Sequence, residues 1–240
     1  MTKKKYIILL TIAFIFCALI LQKLIFTKKI TLNESFCNNI FDDSYNEICH
    51  ALFTKDFNKC KSIESLSKND CYYMVSYLYK NLSEPFCNYL NNIFCFVALA
   101  EKTNNASFCK GYDTCYLNIA FNTKNKNNCE YLKFDKYFYN ICIAYATKSR
   151  DECKNLVDEK YCKKIFPENV NDCQNDFFCI SFLAKSKKDI KICEALKHEF
   201  QRIDCEMDII TDKEICKKYE GLAQDYCLLK YVFKSLLEKL

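Results

Sequence analysis

Glycine, proline, histidine and tryptophan are nearly missing from this 240-residue chain, which has two Gly, two Pro, two His and no Trp. Phosphate-binding loops need several glycines where the backbone approaches the ligand, and only Gly111 and Gly221 are present. The scarcity of Gly and the lack of sustained two-residue alternation also argue against β-hairpins. These absences exclude common nucleotide-binding enzymes and favour helices.

Catalytic and metal-binding motifs are also missing. His50 follows Cys49 directly and His198 stands alone, so neither belongs to a haem-attachment or zincin motif. No C-x-x-C occurs, which removes the simplest zinc-ribbon and thioredoxin-like interpretations. We therefore expect no enzyme activity, no catalytic residue, no metal site and no cofactor.

Net charge gives no support for nucleic-acid binding. The formal charge is +5, but six lysines and no acidic residue precede residue 30, which leaves 29 basic against 30 acidic groups in the remainder. Phosphate neutralisation needs clustered basic side chains. The abundant Tyr and Phe recur at helical spacing, so we interpret them as core residues and predict no nucleic-acid partner.

An apolar segment opens the chain. Residues 6–21 carry no charge, and Lys23 near the end of the run could reach the interface of a bilayer. We predict a cytoplasmic stub and a transmembrane signal-anchor over residues 1–29, with the lipid bilayer as its partner. Cleavage as a signal peptide is the alternative, although Phe16 stands where a small residue would precede Ala18 at a cleavage site.

Cysteine is what the chain has in excess, with 19 residues. All but Cys17 lie after residue 30, at a density typical of disulfide scaffolds, which form in oxidising compartments. We therefore predict that residues 30–240 are an extracytoplasmic, cysteine-rich domain of a single-pass cell-membrane protein. If the N-terminal segment is cleaved, the protein is secreted.

The cysteines repeat in pairs whose first members recur every 20 to 27 residues. Such a period marks a stacked repeat array. From a second cysteine to the next first one the separation is 11, 14 or 16 residues, whereas within a pair it varies from 6 to 13. Variable loops suit cross-linked ends, so we favour bonds within each pair over bonds between consecutive pairs. The predicted disulfides are Cys37–Cys49, Cys60–Cys71, Cys87–Cys95, Cys109–Cys115, Cys129–Cys142, Cys153–Cys162, Cys173–Cys179, Cys193–Cys205 and Cys216–Cys227.

Apolar residues follow the cysteines at helical spacing, three positions after most first members and four after every second member. Asp56, Ser83, Ser107 and Ser149 stand where an N-cap would precede a first cysteine. Each repeat is therefore predicted to be a short helix, a turn and a longer helix. The fold class is all-α: an α-solenoid-like array of about nine disulfide-stapled hairpins, ended by a capping helix at about 228–240. This helix is predicted to carry an apolar stripe, with Lys230, Lys234 and Lys239 away from it; the stripe consists of Leu229, Val232, Phe233, Leu236, Leu237 and Leu240.

The array resembles cysteine-stapled helical repeats such as the Sel1-like proteins, whose repeats are longer and carry Gly and Ala signatures that this chain lacks. The resemblance implies no activity. We predict a binding or structural scaffold whose repeats bind a protein or peptide partner. The alternatives are a thiol–disulfide or metal-handling surface protein, suggested by the cysteine density, and a secreted effector released by cleavage.

Overall fold

A computed structural model describes residues 32–63, 67–149, 153 and 158–240, and in these residues all regular structure is helical. The second, longer helix of each hairpin is labelled here in chain order. These helices are α1 (Asp43–Thr54), α2 (Ser67–Leu78), α3 (Ile93–Thr103), α4 (Asp113–Thr123), α5 (Lys136–Thr147), α6 (Glu159–Ile165), α7 (Phe177–Lys187), α8 (Glu199–Ile209) and α9 (Gly221–Leu237).

A short helix carrying the first cysteine precedes each of these long helices, except that only Cys153 is described before α6. Several of the short helices are 3₁₀ helices. Their bounds are Glu34–Asn39, Phe57–Ser62, Glu84–Leu90, Ala106–Cys109, Lys126–Leu132, Val170–Cys173, Ile190–Ala195 and Lys213–Lys218. The helical-hairpin repeat predicted from the cysteine pattern is therefore present.

Nine disulfides each close one hairpin, and they join the same nine pairs that the spacing favours. The paired Cα atoms lie 5.3 to 5.8 Å apart, inside the usual range for a disulfide. All eighteen half-cystines are at most 1% exposed. The sulfurs therefore form part of the core, and Cys17 lies outside the described residues.

Side-chain caps begin most helices, although not always at the predicted residue. Asp56 caps Phe57–Ser62 by accepting a hydrogen bond from the N–H of Asn58. Ser83 occupies the N-cap of Glu84–Leu90 without a side-chain bond. The predicted cap at Ser107 is wrong, because Asn105 caps that helix and accepts from the N–H of Ser107. The helix that Ser149 would cap is outside the described residues.

Lysine takes the place of glycine at many helix ends. Lys55, Lys124, Lys148 and Lys188 follow α1, α4, α5 and α7 with φ between 52° and 56°, in the left-handed region. A non-Gly residue in this conformation costs about 1–2 kcal/mol. The chain thus makes its tight turns with almost no glycine, at an energetic cost that disulfides and packing offset.

Many of the apolar residues spaced from the cysteines lie in the core. Five of the nine that stand four positions after a second cysteine are at most 3% exposed: Val75, Leu99, Ile119, Ala146 and Leu183. The other four, Phe53, Phe166, Ile209 and Tyr231, are partly buried. The positions three residues after a first cysteine vary in the same way. Ile40 and Leu196 are buried there, but Tyr112 is 38% exposed.

Helix α9 differs most from the expected solenoid. It is one helix from Gly221 to Leu237, so the capping helix predicted at about 228–240 is the C-terminal part of the second helix of the ninth hairpin. It packs against α8 and also against α1 and α2. The Phe233 ring lies 6.3 Å from Tyr77 of α2. The apolar stripe of α9 thus covers the first hairpins, which closes the array of Glu34–Leu240 upon itself.

The predicted membrane anchor, residues 1–29, lies outside the described residues. Within the described ranges, none of the helices combines the length and the apolar composition that a bilayer crossing demands.

Candidate binding surface

The loops inside the disulfides display most of the exposed apolar side chains. Of the twelve large apolar side chains that are exposed in the described residues, all but Ile210 and Leu240 stand between two paired cysteines. These loops hold fewer than half of the described residues, so the concentration is not a matter of length. The ten are Phe41, Tyr89, Ile93, Tyr112, Tyr131, Phe134, Tyr137, Phe178, Phe200 and Leu222.

Ring contacts connect the loops of consecutive hairpins. Phe94 of the third loop lies 5.8 Å from Tyr112 of the fourth, centroid to centroid. Tyr116, one residue beyond the fourth loop, stacks on Tyr131 of the fifth at 5.1 Å. Offset-stacked and edge-to-face rings at such distances attract each other beyond the effect of burial. The third, fourth and fifth loops are therefore neighbours in space as well as in sequence.

The same kind of contact joins the two ends of the array. Tyr226 of the ninth loop lies 5.6 Å from Tyr45 of the first loop and 5.2 Å from Phe200 of the eighth. We call the surface made by loops one, eight and nine the closure site. Phe41 and Leu222 are exposed in these loops, at 84% and 49%.

Charged groups lie beneath the closure site. The Tyr226 hydroxyl donates to Asp204 Oδ1 at 2.9 Å, and Lys230 Nζ lies 2.8 Å from the same oxygen. Burial acts to lower the pKa of Lys230, but Asp204, Tyr226 and Asp70 outweigh it and raise this pKa above its usual value. Lys230 is therefore a charged cation that is paired with Asp204 and also attracted by Asp70.

Asp70 of α2 completes this group. The residue is exposed, but partial loss of hydration raises the pKa of the Asp70 carboxyl, while Lys230 opposes that rise and Asp204 adds to it. Lys230, predicted to lie away from the apolar stripe, is only 24% exposed in its side chain. The lysine therefore links α9 to the rest of the array through its charge.

Two further polar clusters join helices. The Tyr73 hydroxyl donates to Glu101 Oε2 at 2.6 Å, and Asn118 Nδ2 donates to Glu101 Oε1 at 3.1 Å, which connects α2, α3 and α4. Burial, followed by the Glu101 charge, raises the pKa of Tyr73 far above its usual range, so the phenol keeps its proton. Such satisfied networks are explained by packing between helices.

Glu206 anchors the second cluster with a side chain that is fully buried. Lys218 Nζ lies 2.5 Å from Glu206 Oε1, and the Tyr219 hydroxyl donates to Glu206 Oε2 at 3.0 Å. Both carboxylate oxygens are thus paired, and the cluster holds the Lys213–Lys218 helix on α8. The charged and polar groups of this cluster bond to one another, as expected of a cluster that stabilises the fold.

The two histidines lie apart. His50 Nδ1 is 2.8 Å from Glu34 Oε1 near the surface, and His198 occupies the N-cap of α8. Over the ranges 32–63, 67–149 and 158–240 no group of three His, Cys, Asp or Glu side chains could hold a metal ion. Of the residues singled out in the sequence, the structure brings together the cysteines but not the two histidines.

Sequence reasoning missed the exposed rings because it assigned Tyr and Phe to the core as a class. A signal was present for Phe134, which stands five residues after Cys129 and so off the spacing that predicts burial. The left-handed lysines were missed too, although Thr54-Lys55-Asp56 and Thr123-Lys124-Asn125 repeat one pattern.

Comparisons with protein-family models, with curated proteins and with solved structures find no significant match. Function must therefore be argued from the chain's own surface.

Proposed function

We propose that this chain is a membrane-attached extracytoplasmic scaffold whose disulfide loops bind a protein or peptide partner. The observation that carries the proposal is the placement of exposed apolar side chains in loops whose ends are cross-linked. Aromatic side chains presented on a rigid frame contribute large contact area at low entropic cost. The closure site fits this role because it combines Phe41, Phe200 and Leu222 with charged groups.

Burial of the half-cystines favours a scaffold over thiol–disulfide exchange. Exchange requires a thiolate to reach a disulfide sulfur, and here all eighteen are at most 1% exposed. Alkylation of the native protein followed by mass measurement separates the two functions. A scaffold leaves the eighteen cysteines after residue 30 unlabelled, and several labelled thiols among them would support redox or metal handling instead.

Topology is tested by adding protease to intact cells. We expect loss of the mass that corresponds to residues 30–240, because nine disulfides are typical of an oxidising compartment. Full protection would contradict the proposal. N-terminal sequencing of the mature protein distinguishes an anchored chain, which retains residues 1–29, from a released effector.

Partner binding is tested by photo-cross-linking on cells. A photoreactive residue at Phe41 or Phe200 should give a discrete adduct of higher mass. Leu240 is the matched control, because it is 67% exposed but stands outside the disulfide loops. Adducts that form equally well from position 240 would show that the loops are not a specific binding surface.

A further inference from the structure

The fifth disulfide loop, between Cys129 and Cys142, differs from the others. It is the longest, with a separation of 13 residues. It also carries three exposed rings within seven residues: Tyr131 at 50%, Phe134 at 92% and Tyr137 at 42%. We call these three residues the aromatic patch.

A rigid frame presents the patch. Tyr131 stacks on Tyr116 with an interplanar angle of 11°. Asp135 caps α5 and accepts hydrogen bonds from the N–H groups of Tyr137 and Phe138 at 2.9 and 3.2 Å. Phe134 therefore lies exposed to water between the stacked Tyr131 and the capped start of α5, although a ring of this size normally gains stability by burial.

The loop has two lysines and two acidic residues, and all four are exposed. Lys133 and Lys136 alternate with the rings, and Lys133 Nζ lies 5.8 Å from the Phe134 centroid. Neither lysine forms an ion pair in the described part of the chain. The loop's two acids are hydrogen-bonded within the protein, Glu130 to the Tyr139 hydroxyl and Asp135 to the helix start.

The area of the patch limits what can cover it. Three rings that each bury about 150–250 Å² when covered, exposed by 50%, 92% and 42%, offer roughly 300–450 Å². A stable protein interface needs about 800 Å² from each partner. Aromatic rings flanked by lysines are instead the composition found at membrane interfaces, where the rings enter the headgroup region and the ammonium groups face phosphates.

We propose that the aromatic patch docks on the surface of an anionic lipid bilayer, with Phe134 inserted among the headgroups and with Lys133 and Lys136 on their phosphates. This inference rests on the proposed function, in that the array must stand beside the membrane to which residues 1–29 attach it. Docking would fix the fifth loop against the bilayer and set the orientation of the closure site relative to it.

The absence of tryptophan from the chain makes the test direct. Full-length Phe134→Trp protein is reconstituted into vesicles of phosphatidylcholine with phosphatidylglycerol, and its single tryptophan is excited. We expect a blue-shifted emission and at least a two-fold loss of intensity when the acyl chains are brominated. The control is Phe41→Trp, at a residue of the first loop that is 84% exposed, which should stay accessible to aqueous iodide and unaffected by bromination.

Charge reversal tests the role of the lysines. Lys133→Glu with Lys136→Glu in the Phe134→Trp background should reduce bromolipid quenching several-fold in anionic vesicles. Circular dichroism and the lack of alkylatable thiols at the eighteen paired cysteines show whether each variant is folded. Unchanged quenching would overturn the electrostatic part of the proposal.

Other occupants give different results. A blue shift without bromolipid quenching that grows with protein density indicates a second copy on the patch and overturns bilayer docking. Emission like that of free tryptophan, or equal quenching at positions 41 and 134, also overturns it. Protease protection of residues 30–240 on cells contradicts the proposed function alone, because quenching in vesicles does not depend on cellular topology.

Discussion

The backbone N–H of Asp42 donates a 2.8 Å hydrogen bond to the Asp225 carboxylate, across 183 residues of sequence. Asp42 caps α1, and Asp225 lies in the first turns of α9 with only 4% of its surface exposed. One buried carboxylate therefore fastens the last hairpin to the start of the first. This hydrogen bond and the apolar stripe of α9 together hold the array closed.

Replacing Asp225 by alanine should lower the free energy of unfolding by about 1–3 kcal/mol, because the Asp42 N–H then loses its acceptor where water has little access. Asp225→Asn keeps an oxygen acceptor and should cost less. Urea unfolding of the oxidised protein measures both changes. Losses of the same size in the two variants would mean that the carboxylate's charge, rather than the hydrogen bond, fastens the hairpins.

Lys230 and Lys234 form a matched pair on α9. Lys230 lies 2.8 Å from Asp204 and Lys234 lies 2.7 Å from Asp208, but Asp208 is the more exposed carboxylate, at 48% against 31%. Lys230→Met leaves the partly buried Asp204 without its ion-pair partner and should cost about 2–3 kcal/mol, less than a fully buried pair would. Lys234→Met breaks an exposed pair and should cost under about 1 kcal/mol. Equal losses in thermal or urea unfolding would contradict this account.

Asp70 should make stability depend on pH. Partial loss of hydration raises its pKa above 3.8, so the folded protein holds the proton more tightly than the unfolded chain, although solvent screens the effect because Asp70 is exposed. Its contribution to the free energy of unfolding therefore becomes less favourable as pH rises from about 3.8 through the folded-state pKa. Asp70→Asn should be slightly more stable than the parent at neutral pH, and the gain should shrink as pH falls towards 4.

A double-mutant cycle tests whether Asp70 interacts with Lys230 through its charge. The loss caused by Lys230→Met should be smaller in the Asp70→Asn background, since one of the two carboxylates that the lysine serves is gone. Additive effects, or a gain from Asp70→Asn that does not change with pH, would show that Asp70 does not act through its charge at this site.

Local rules predicted the hairpins, while the closure depends on contacts that no local rule contains. The cysteine spacing is enough to favour Cys129–Cys142, and four-residue spacing is enough to bury Ile119. By contrast, the contact between Phe233 and Tyr77 depends on the sum of the small rotations between successive hairpins. The spacing of residues in the sequence does not determine that sum. The stripe on α9 was recognised from the sequence, but its partner was not.

Loop length should decide how much each disulfide stabilises the fold. Cys109–Cys115 closes 6 residues and Cys129–Cys142 closes 13. The chain-entropy relation gives about 2 kcal/mol for the shorter loop and about 3 kcal/mol for the longer. Paired Cys→Ala variants compared by urea unfolding test this order. A larger loss for the shorter loop would show that packing around the sulfurs, rather than chain entropy, dominates.

Two residues with a left-handed backbone conformation allow substitutions that should change the free energy of unfolding in opposite directions. Lys124 follows α4 with φ of 54°, and Gly111 lies between paired cysteines with φ of 87°. Lys124→Gly removes a left-handed strain of about 1–2 kcal/mol but adds freedom to the unfolded chain, so we expect a net gain of about 0.5–1 kcal/mol. Gly111→Ala should lose about 1–2 kcal/mol, and since its new Cβ would meet no atom within 4 Å, that loss measures the backbone alone.

Lys126→Gly, at the start of a short helix, is the control, because it adds unfolded-state freedom without relieving left-handed strain. If it gained as much as Lys124→Gly, the stability of these turns would not depend on φ.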